Sequence, residues 1–450
     1  MSVTSSVAAS APTRDQLKAW LDNHRIETVR VEWSDVHGLS RGKRLSRERF
    51  TTALARGLAQ STAPLFMDLQ GNVVGAGERY QRAGWPDMLA WPDLTTLRVV
   101  PYEEQAALVL ADLWDREGDP LPAPRQVLKQ VVQRAEQSGW LFEVGAELEF
   151  YLFSSGDLER LPPGKQALRT RFGREEKQAV LRMWRALADM GFDVEACCAE
   201  DGPGQFEINI ACSGPVPAAD GAFLLRNAVK EIAGQEGLLA TFMPKPLPDE
   251  SGSGFHVHIG VDCEASGHDL GERVPDGSPT AECHAFIAGQ LALARELAAL
   301  WLPTVNAYKR VLARSPHGPA LTWGRDNRTA AVRLIDTPGQ RLRVENRIPG
   351  ADANPYLAIA AALVAGIVGF QQGLEPPPPL ADPDGGAEAG SGALPSHLAE
   401  AVDLLAESQR ARAWLGSDFL DAFVLLKRAE ARRFAAAVTD WERQEYLTYL

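Results

Sequence analysis

Long apolar runs are missing from this 450-residue chain. The longest, YLAIAAALVAGIVGF at 356–370, is uncharged but falls short of the ~20 residues a bilayer-spanning helix needs. It reads as a buried helix, with Asn354 as N-cap and Pro355 at the first helical position. Cysteine is scarce: Cys197, Cys198, Cys212, Cys263 and Cys283 include no CxxC pair, which argues against a disulfide framework or a zinc knuckle. Reduced thiols and a cytoplasmic location are the expectation. Basic runs are also absent, and a net charge of −13 excludes nucleic acid as a partner on charge grounds; no membrane partner is expected either. The start, MSVTSSVAASAPTR, has neither the charged beginning nor the apolar centre of a secretory signal. Residues 1–12 are expected to form a disordered arm. The stretch EPPPPLADPDGGAEAGSGA at 375–393 is a Pro/Gly-rich loop, and no fixed-period repeat is visible.

What is present is patterned. Thr13 and Gln16 have the spacing of a capping box ahead of RDQLKAWLDNH. TVRVEWSDVHGLSRGKRL alternates Val29, Val31 and Trp33, turns near His37-Gly38 and resumes, which predicts a β-hairpin. TTLRVVPY and AALVLADLW predict further strands, so residues 13–112 are expected to form a small, strand-dominated domain. From PAPRQVLKQVVQRAEQSG onward, helical segments alternate with short strands. SHLAEAVDLLAES and DFLDAFVLLKRAEARRFAAAV are helical in pattern.

Four segments share one property. In GAELEFYLF, Ala146, Leu148, Phe150 and Leu152 fall on one side, with Glu147 and Glu149 on the other. GQFEINI sets Phe206, Ile208 and Ile210 against Gln205, Glu207 and Asn209. GFHVHIGV sets Phe255, Val257 and Ile259 against His256 and His258. RLRVENRI sets Leu342, Val344, Asn346 and Ile348 against Arg341, Arg343, Glu345 and Arg347. The two-residue period of a strand forces each split. A single strand of this kind is usually a solvated surface. Four in one sheet would line one polar cavity, where crowded carboxylates repel unless cations sit among them. Oxygen ligands with one or two histidines suit Mg²⁺ or Mn²⁺, and neighbouring arginines suit phosphates and carboxylates.

The ordered motifs GAELEF, EDGPGQFEI, ATFMPKP, SGSGFHVH, NAYKR, WGRDNRTAAVR and RVENRIPGADANPYLA resemble those of the glutamine synthetase family, and SDVHGLSRGK resembles its N-terminal signature. The resemblance implies an α+β protein: an N-terminal β-grasp domain (13–112) and a C-terminal catalytic α/β domain (113–450) with a curved antiparallel sheet. It implies two metal sites, one held by Glu149, Glu200 and Glu207 and the other by Glu147, His256 and Glu345. Glutamate would be bound around Gly252, Arg310 and Arg347, with Glu149, His256 and Arg328 also lining that subsite. ATP would meet Arg328, Arg333 and Arg343, with Glu207 and His258 nearby. Asp35, Arg328 and Arg347 take catalytic roles, Asp35 by handling the amine from a neighbouring subunit. The partners implied are glutamate and a small amine, in a homo-oligomer of two hexameric rings with active sites between subunits.

Three departures from the family pattern refine this. The flap after YKR reads ARSPHGPAL, and the position of the family's proton-accepting glutamate falls at Pro316, beside His317. No acidic residue lies between Arg310 and Asp326. Ser251 replaces an asparagine ahead of the GSG loop, and the LEPPPPL region lacks a tyrosine that some bacterial members modify. With the ending VTDWERQEYLTYL, these features resemble the γ-glutamylpolyamine and γ-glutamylamine synthetase branch. The expected reaction is ATP-dependent ligation of the glutamate γ-carboxylate to an organic amine. The alternatives are an ordinary glutamine synthetase that uses ammonium and a non-catalytic ring protein.

Overall fold

The computed structural model describes residues 13–75, 78–156, 167–263, 268–314, 321–380 and 392–450. The N-terminal arm, Pro316 and His317 lie outside the described residues.

The hairpin predicted around His37-Gly38 forms β1 (Thr28–Ser34) and β2 (Ser40–Ser46). Asp35 holds its turn by accepting from the backbone N–H groups of His37 and Leu39, each at 2.9 Å, and Gly38 takes the positive φ of 76° that the turn needs. With β3 (Leu58–Ser61), β4 (Asp87–Pro92), β5 (Arg98–Val99) and β6 (Ala106–Trp114), these strands make a six-stranded sheet. Its order is β2-β1-β6-β4-β3, with β5 also on β6 and β1 parallel to β6. The TTLRVVPY segment is mostly not a strand. Leu94–Thr96 is a 3₁₀ turn capped by Asp93, and the Thr96 hydroxyl accepts from the Leu110 N–H at 2.8 Å, where a ladder carbonyl would otherwise stand. The helix Arg14–Asn23 carries the expected capping box.

Strand β6 is buried on both faces. Ala107, Val109, Ala111 and Leu113 join Leu17, Val29, Trp33 and Phe50 in a smaller core, while Ala106, Leu108 and Leu110 belong to the main core.

The second sheet has nine strands: β7 (Leu141–Ser154), β8 (Val194–Ala199), β9 (Gln205–Ile210), β10 (Leu238–Thr241), β11 (Phe255–Cys263), β12 (His268–Asp269), β13 (Trp323–Arg325), β14 (Val332–Ile335) and β15 (Arg343–Asn346). Its order is β13-β14-β15-β11-β7-β9-β8, with β10 on β7 and β12 on β11. The expectation of a wholly antiparallel sheet needs correction, because β13 and β14 run parallel. Only residues 326–331 connect them, and Asp326 sits in the left-handed region at φ 51° to redirect the chain. The strand predicted across RLRVENRI is also shorter than its pattern. Arg341 lies outside it and pairs with Asp269, and Arg347 lies just past its end.

The apolar faces of these strands (Leu148, Phe206, Phe255, Val257, Ile259, Val344) share one core with the helices Pro124–Gln137, Pro215–Gln235, Ala281–Ala292 and Pro355–Gln371. The last is the buried helix foreseen at 356–370. Asn354 caps it through the Tyr356 and Leu357 N–H groups, and every residue from Pro355 to Gly369 is buried. It meets Ala281–Ala292 backbone to backbone: a Cβ on Gly369 would lie 2.2 Å from the Ala285 carbonyl oxygen, and one on Gly289 2.1 Å from that of Ala365. No described helix is long and apolar enough to cross a membrane.

Candidate active site

The four patterned segments are adjacent strands, β15-β11-β7-β9, and their register aligns the polar residues in rows. Arg333, Glu345, His258 and Gly145 are successive partners across β14, β15, β11 and β7. His256, Glu147 and Asn209 follow across β11, β7 and β9. Glu149, Glu207 and Cys198 follow across β7, β9 and β8. Glu200 lies just past β8, in the tight connection to β9, where its N–H bonds to the Gln205 carbonyl at 2.9 Å.

Glu147 is at the centre. His258 Nε2 donates to its Oε2 at 2.6 Å and His256 Nδ1 to its Oε1 at 3.3 Å. Burial opposes charge on Glu147, but these two histidines hold its carboxyl well below the usual range. Glu207 goes the other way: burial, then repulsion from Glu147, pushes it well up. Glu200 is pushed up to about 7, first by burial and then by Glu149. Glu345, 1 % exposed, bonds to Arg347 and accepts from Arg333 Nη1 at 3.2 Å. Burial works against its charge, yet His256 and Arg347 keep its carboxyl below the ordinary value. Glu149 accepts from the Gly254 N–H at 2.9 Å and from Gln205 Nε2 at 3.1 Å, which fixes it to the loop ahead of β11.

Ligand-type atoms gather into three overlapping groups within 4.8 Å: Glu147, His258 and Glu345; Glu147, Glu207 and His256; Cys198, Glu200 and Glu207. The carboxylates and imidazoles fit hard or borderline divalent cations. One observation tests that fit. His256 is 4 % exposed and its Nε2 has no hydrogen-bond partner among the described residues. With Nδ1–H donating to Glu147, Nε2 carries a lone pair, and Glu149 Oε1 stands 3.7 Å from it. A carboxylate-oriented imidazole with an unused nitrogen is the arrangement in which histidine binds a metal.

Beside this cluster is the predicted substrate region. Lys245, Pro248, Asp249, Glu250, Gly252 and Arg310 line part of a cavity of about 330 Å³. Arg310 donates to the carbonyls of Ile348 at 3.0 Å and Arg347 at 3.4 Å, which holds its guanidinium between this cavity and a small hollow under Thr329 and Arg347. Gly252 leaves no room for a side chain: a Cβ would lie 2.6 Å from the Pro244 carbonyl oxygen and 2.7 Å from Arg310 Cγ.

The structure thus brings together Glu147, Glu149, Glu200, Glu207, His256, His258, Arg333, Glu345 and Arg347, with Gly252 and Arg310 adjoining. Arg343 opens β15 and is exposed, and Arg328 is exposed in the turn before β14. Asp35 does not join the cluster within this chain. It is fully buried in its own turn, where its second oxygen accepts from Arg41 Nε at 2.8 Å. Burial raises its carboxyl even so. Sequence reasoning missed Cys198, whose Sγ lies 3.3 Å from Glu200 Oε1 and 3.8 Å from Glu207 Oε1. Its pairing with Glu207 across β8 and β9 places it on the polar face, a relation no local pattern in the sequence shows.

A family model described as glutamine synthetase, catalytic domain, matches residues 122–446. The chain is 34% identical over 449 residues to a glutamate–isopropylamine ligase of a Pseudomonas species, covering 96% of this chain and 97% of that one. It is 34% identical over 441 residues to a gamma-glutamylethanolamide synthetase of Streptomyces coelicolor, covering 95% and 94%. A solved structure described as apo GmaS without ligand superposes with a TM-score of 0.85 at 29% identity, covering 96% of this chain and 99% of the other.

Proposed function

The chain belongs to the glutamine synthetase family, and on that footing we propose that it is an ATP-dependent ligase that joins the γ-carboxylate of glutamate to an organic amine. The observation that carries the reading is the convergence of Glu147, Glu149, Glu200, Glu207, His256 and Glu345 on one face of adjoining strands. The relatives named for the amine isopropylamine and for a gamma-glutamylethanolamide product, and the flap sequence without a carboxylate, favour an organic amine over ammonium.

In this reading Glu149, Glu200 and Glu207 hold one Mg²⁺ or Mn²⁺, and Glu147, His256 and Glu345 a second. Cations bound there supply charge neutralisation for a transferring phosphoryl group. The chain's own residues do the rest. Arg310 and Arg347 pair with the carboxylates of glutamate, Gly252 gives the substrate close approach to backbone, and Arg328, Arg333 and Arg343 face the phosphates of ATP, beside His258. A γ-carboxylate oxygen attacks the γ-phosphorus and ADP leaves, giving γ-glutamyl phosphate. The amine nitrogen then attacks the acyl carbon, the C–O bond breaks, and phosphate leaves. An alkylammonium with a pKa near ~10 must lose a proton first.

The finer architecture belongs to the same proposal. The N-terminal sheet is its β-grasp domain at 13–112, followed by the catalytic domain at 113–450. Asp35 acts on the site of a neighbouring subunit in a dodecamer of two hexameric rings in the cytoplasm. The C-terminal helix Asp440–Tyr446 buries none of its residues in this chain, and Val438, Trp441, Leu447, Tyr449 and Leu450 are exposed. Such a terminus supports assembly with further copies.

Phosphate release tests the reading. Purified protein, ATP, glutamate and Mg²⁺ are incubated with ammonium, isopropylamine, ethanolamine, aniline and putrescine. Turnover with at least one organic amine exceeding that with ammonium is expected. Strong release with ammonium and none with any organic amine would overturn it.

A further inference from the structure

One residue on the core side of the patterned strands is polar. Alternation groups Asn346 with Leu342, Val344 and Ile348, away from Glu345. The structure keeps it there, fully buried and flanked across the sheet by Val257 of β11 and Val332 of β14. A buried amide is costly unless its hydrogen bonds are met, and here they run in one line. The Ile348 N–H donates to Asn346 Oδ1 at 3.0 Å, Asn346 Nδ2 donates to Gln290 Oε1 at 2.7 Å, and Gln290 Nε2 donates to the Ala362 carbonyl at 2.6 Å. Gln290, in the helix Ala281–Ala292, is fully buried as well. The two ends orient both amides, because a backbone N–H can only donate and a carbonyl can only accept. The relay ties the end of β15 to the buried helix Pro355–Gln371.

The bond to Ile348 turns the chain where β15 stops, and the next two residues carry the acid subsite of the proposed reading. Arg347 is buried, its N–H bonds to the Ala331 carbonyl at 3.0 Å, and its Nε has no hydrogen-bond partner among the described residues. The carbonyls of Arg347 and Ile348 are the ones that seat Arg310. Both arginines thus take their place from one turn. Glu345, by contrast, is held by the ladders to β11 and β14.

We propose that Asn346 and Gln290 are positioning residues for the acid substrate. From inside the core they set the turn on which Arg347 and Arg310 present their guanidinium groups to the carboxylates of glutamate. The inference rests on the ligase reading.

The test uses the full-length protein. Asn346→Leu strands the Gln290 carbonyl oxygen and the Ile348 N–H, so a lower urea midpoint is expected. Adding Gln290→Met removes the orphaned amide, and replacing both partners of a buried hydrogen bond by apolar groups of similar shape is close to neutral. The double variant should therefore regain most of the midpoint. Function should not follow: the KM for glutamate stays at least about tenfold above wild type in both variants, with the KM for ATP little changed. Val344→Ala, on the same core face, should lower the midpoint and leave both KM values as they were. Should Asn346→Leu fail to fold, the double variant carries the test alone. Recovery of the glutamate KM along with the midpoint would reduce the pair to ordinary core packing and overturn the inference, as would a matching rise in the KM for ATP; normal wild-type turnover in those cases leaves the ligase reading intact. A wild-type protein that neither binds glutamate by calorimetry nor releases phosphate with any amine overturns both.

Discussion

Glu149 and Glu207 stand directly opposite each other across β7 and β9, and Glu147 in the neighbouring row repels Glu207 as well. Like charges facing across an antiparallel pair are destabilising, and burial raises the cost. In the proposed reading, divalent cations bound among these carboxylates would relieve that repulsion.

Mg²⁺ or Mn²⁺ should therefore raise the unfolding temperature. The stabilisation expected at a hundredfold excess over Kd is about 2.7 kcal/mol, measurable by scanning fluorimetry with and without chelator. Glu207→Gln should make the cation-free protein slightly more stable, by up to ~1 kcal/mol, and should remove most of the response to added cation. An unchanged cation response in that variant would show that Glu207 is not a ligand.

Glu345 is the shared partner of two arginines, one of them buried. Arg347 and Arg333 Nη1 both bond to it, and Arg347 is 8 % exposed. Glu345→Ala leaves a guanidinium buried without its counter-charge, which costs about 3–5 kcal/mol. A large drop in the urea midpoint is expected alongside loss of ligase turnover. Arg347→Ala should also destabilise, and the double variant should lose less than the two single losses added together.

Acid should act through His37. Its Nε2 bonds to the Met67 carbonyl at 3.0 Å and its Nδ1 faces Lys427 Nζ at 3.3 Å, so the neutral ring donates from one nitrogen and accepts at the other. Burial and then the Lys427 charge hold its pKa down to about 3. The unfolded chain, with histidine near 6.5, binds the proton first. Stability from this residue is present above about 6.5 and is lost as pH falls toward 3, up to ~3 kcal/mol by pH 4. His37→Gln should flatten the fall in urea midpoint between pH 6.5 and 4.

Gly252→Ala tests the substrate loop. The new methyl meets a backbone oxygen that has little freedom to retreat, so Arg310 must move. A rise in the KM for glutamate of about tenfold or more is expected, since a displaced carboxylate partner forfeits a charge-assisted hydrogen bond of ~1.5–3 kcal/mol. The KM for ATP should change little, and an equal rise in both would place Gly252 elsewhere in the mechanism.

Much of this site is legible in the sequence because a strand's side chains obey a strict period. Alternation alone sorted Glu147 and Glu149 from Leu148 and Phe150, and His256 and His258 from Val257. Neighbourhood is not local information. That β15 pairs with β11, or that His256 meets Glu147, depends on contacts between segments about a hundred residues apart. Cys198 escaped notice because VEACCA lacks the bulky alternation that marks a strand face, so only its pairing with Glu207 reveals which way it points. The strands β13 and β14, three and four residues long, are too short for a period to show. TTLRVVPY misled because the Thr96 hydroxyl substitutes for a ladder carbonyl, which strand propensity does not register. The role assigned to Asp35 came from kinship, and within one chain its carboxylate does no more than brace a turn.

Strand β6 has a consequence for dissection of the molecule. Because its alternate residues serve two cores at once, a fragment cut to the family-matched span at 122–446 would strip Leu108 and Leu110 from the larger core and leave oily surface facing water. The N-terminal quarter is thus a wall of the remaining three quarters, and a truncation there should yield aggregated material in place of a minimal enzyme.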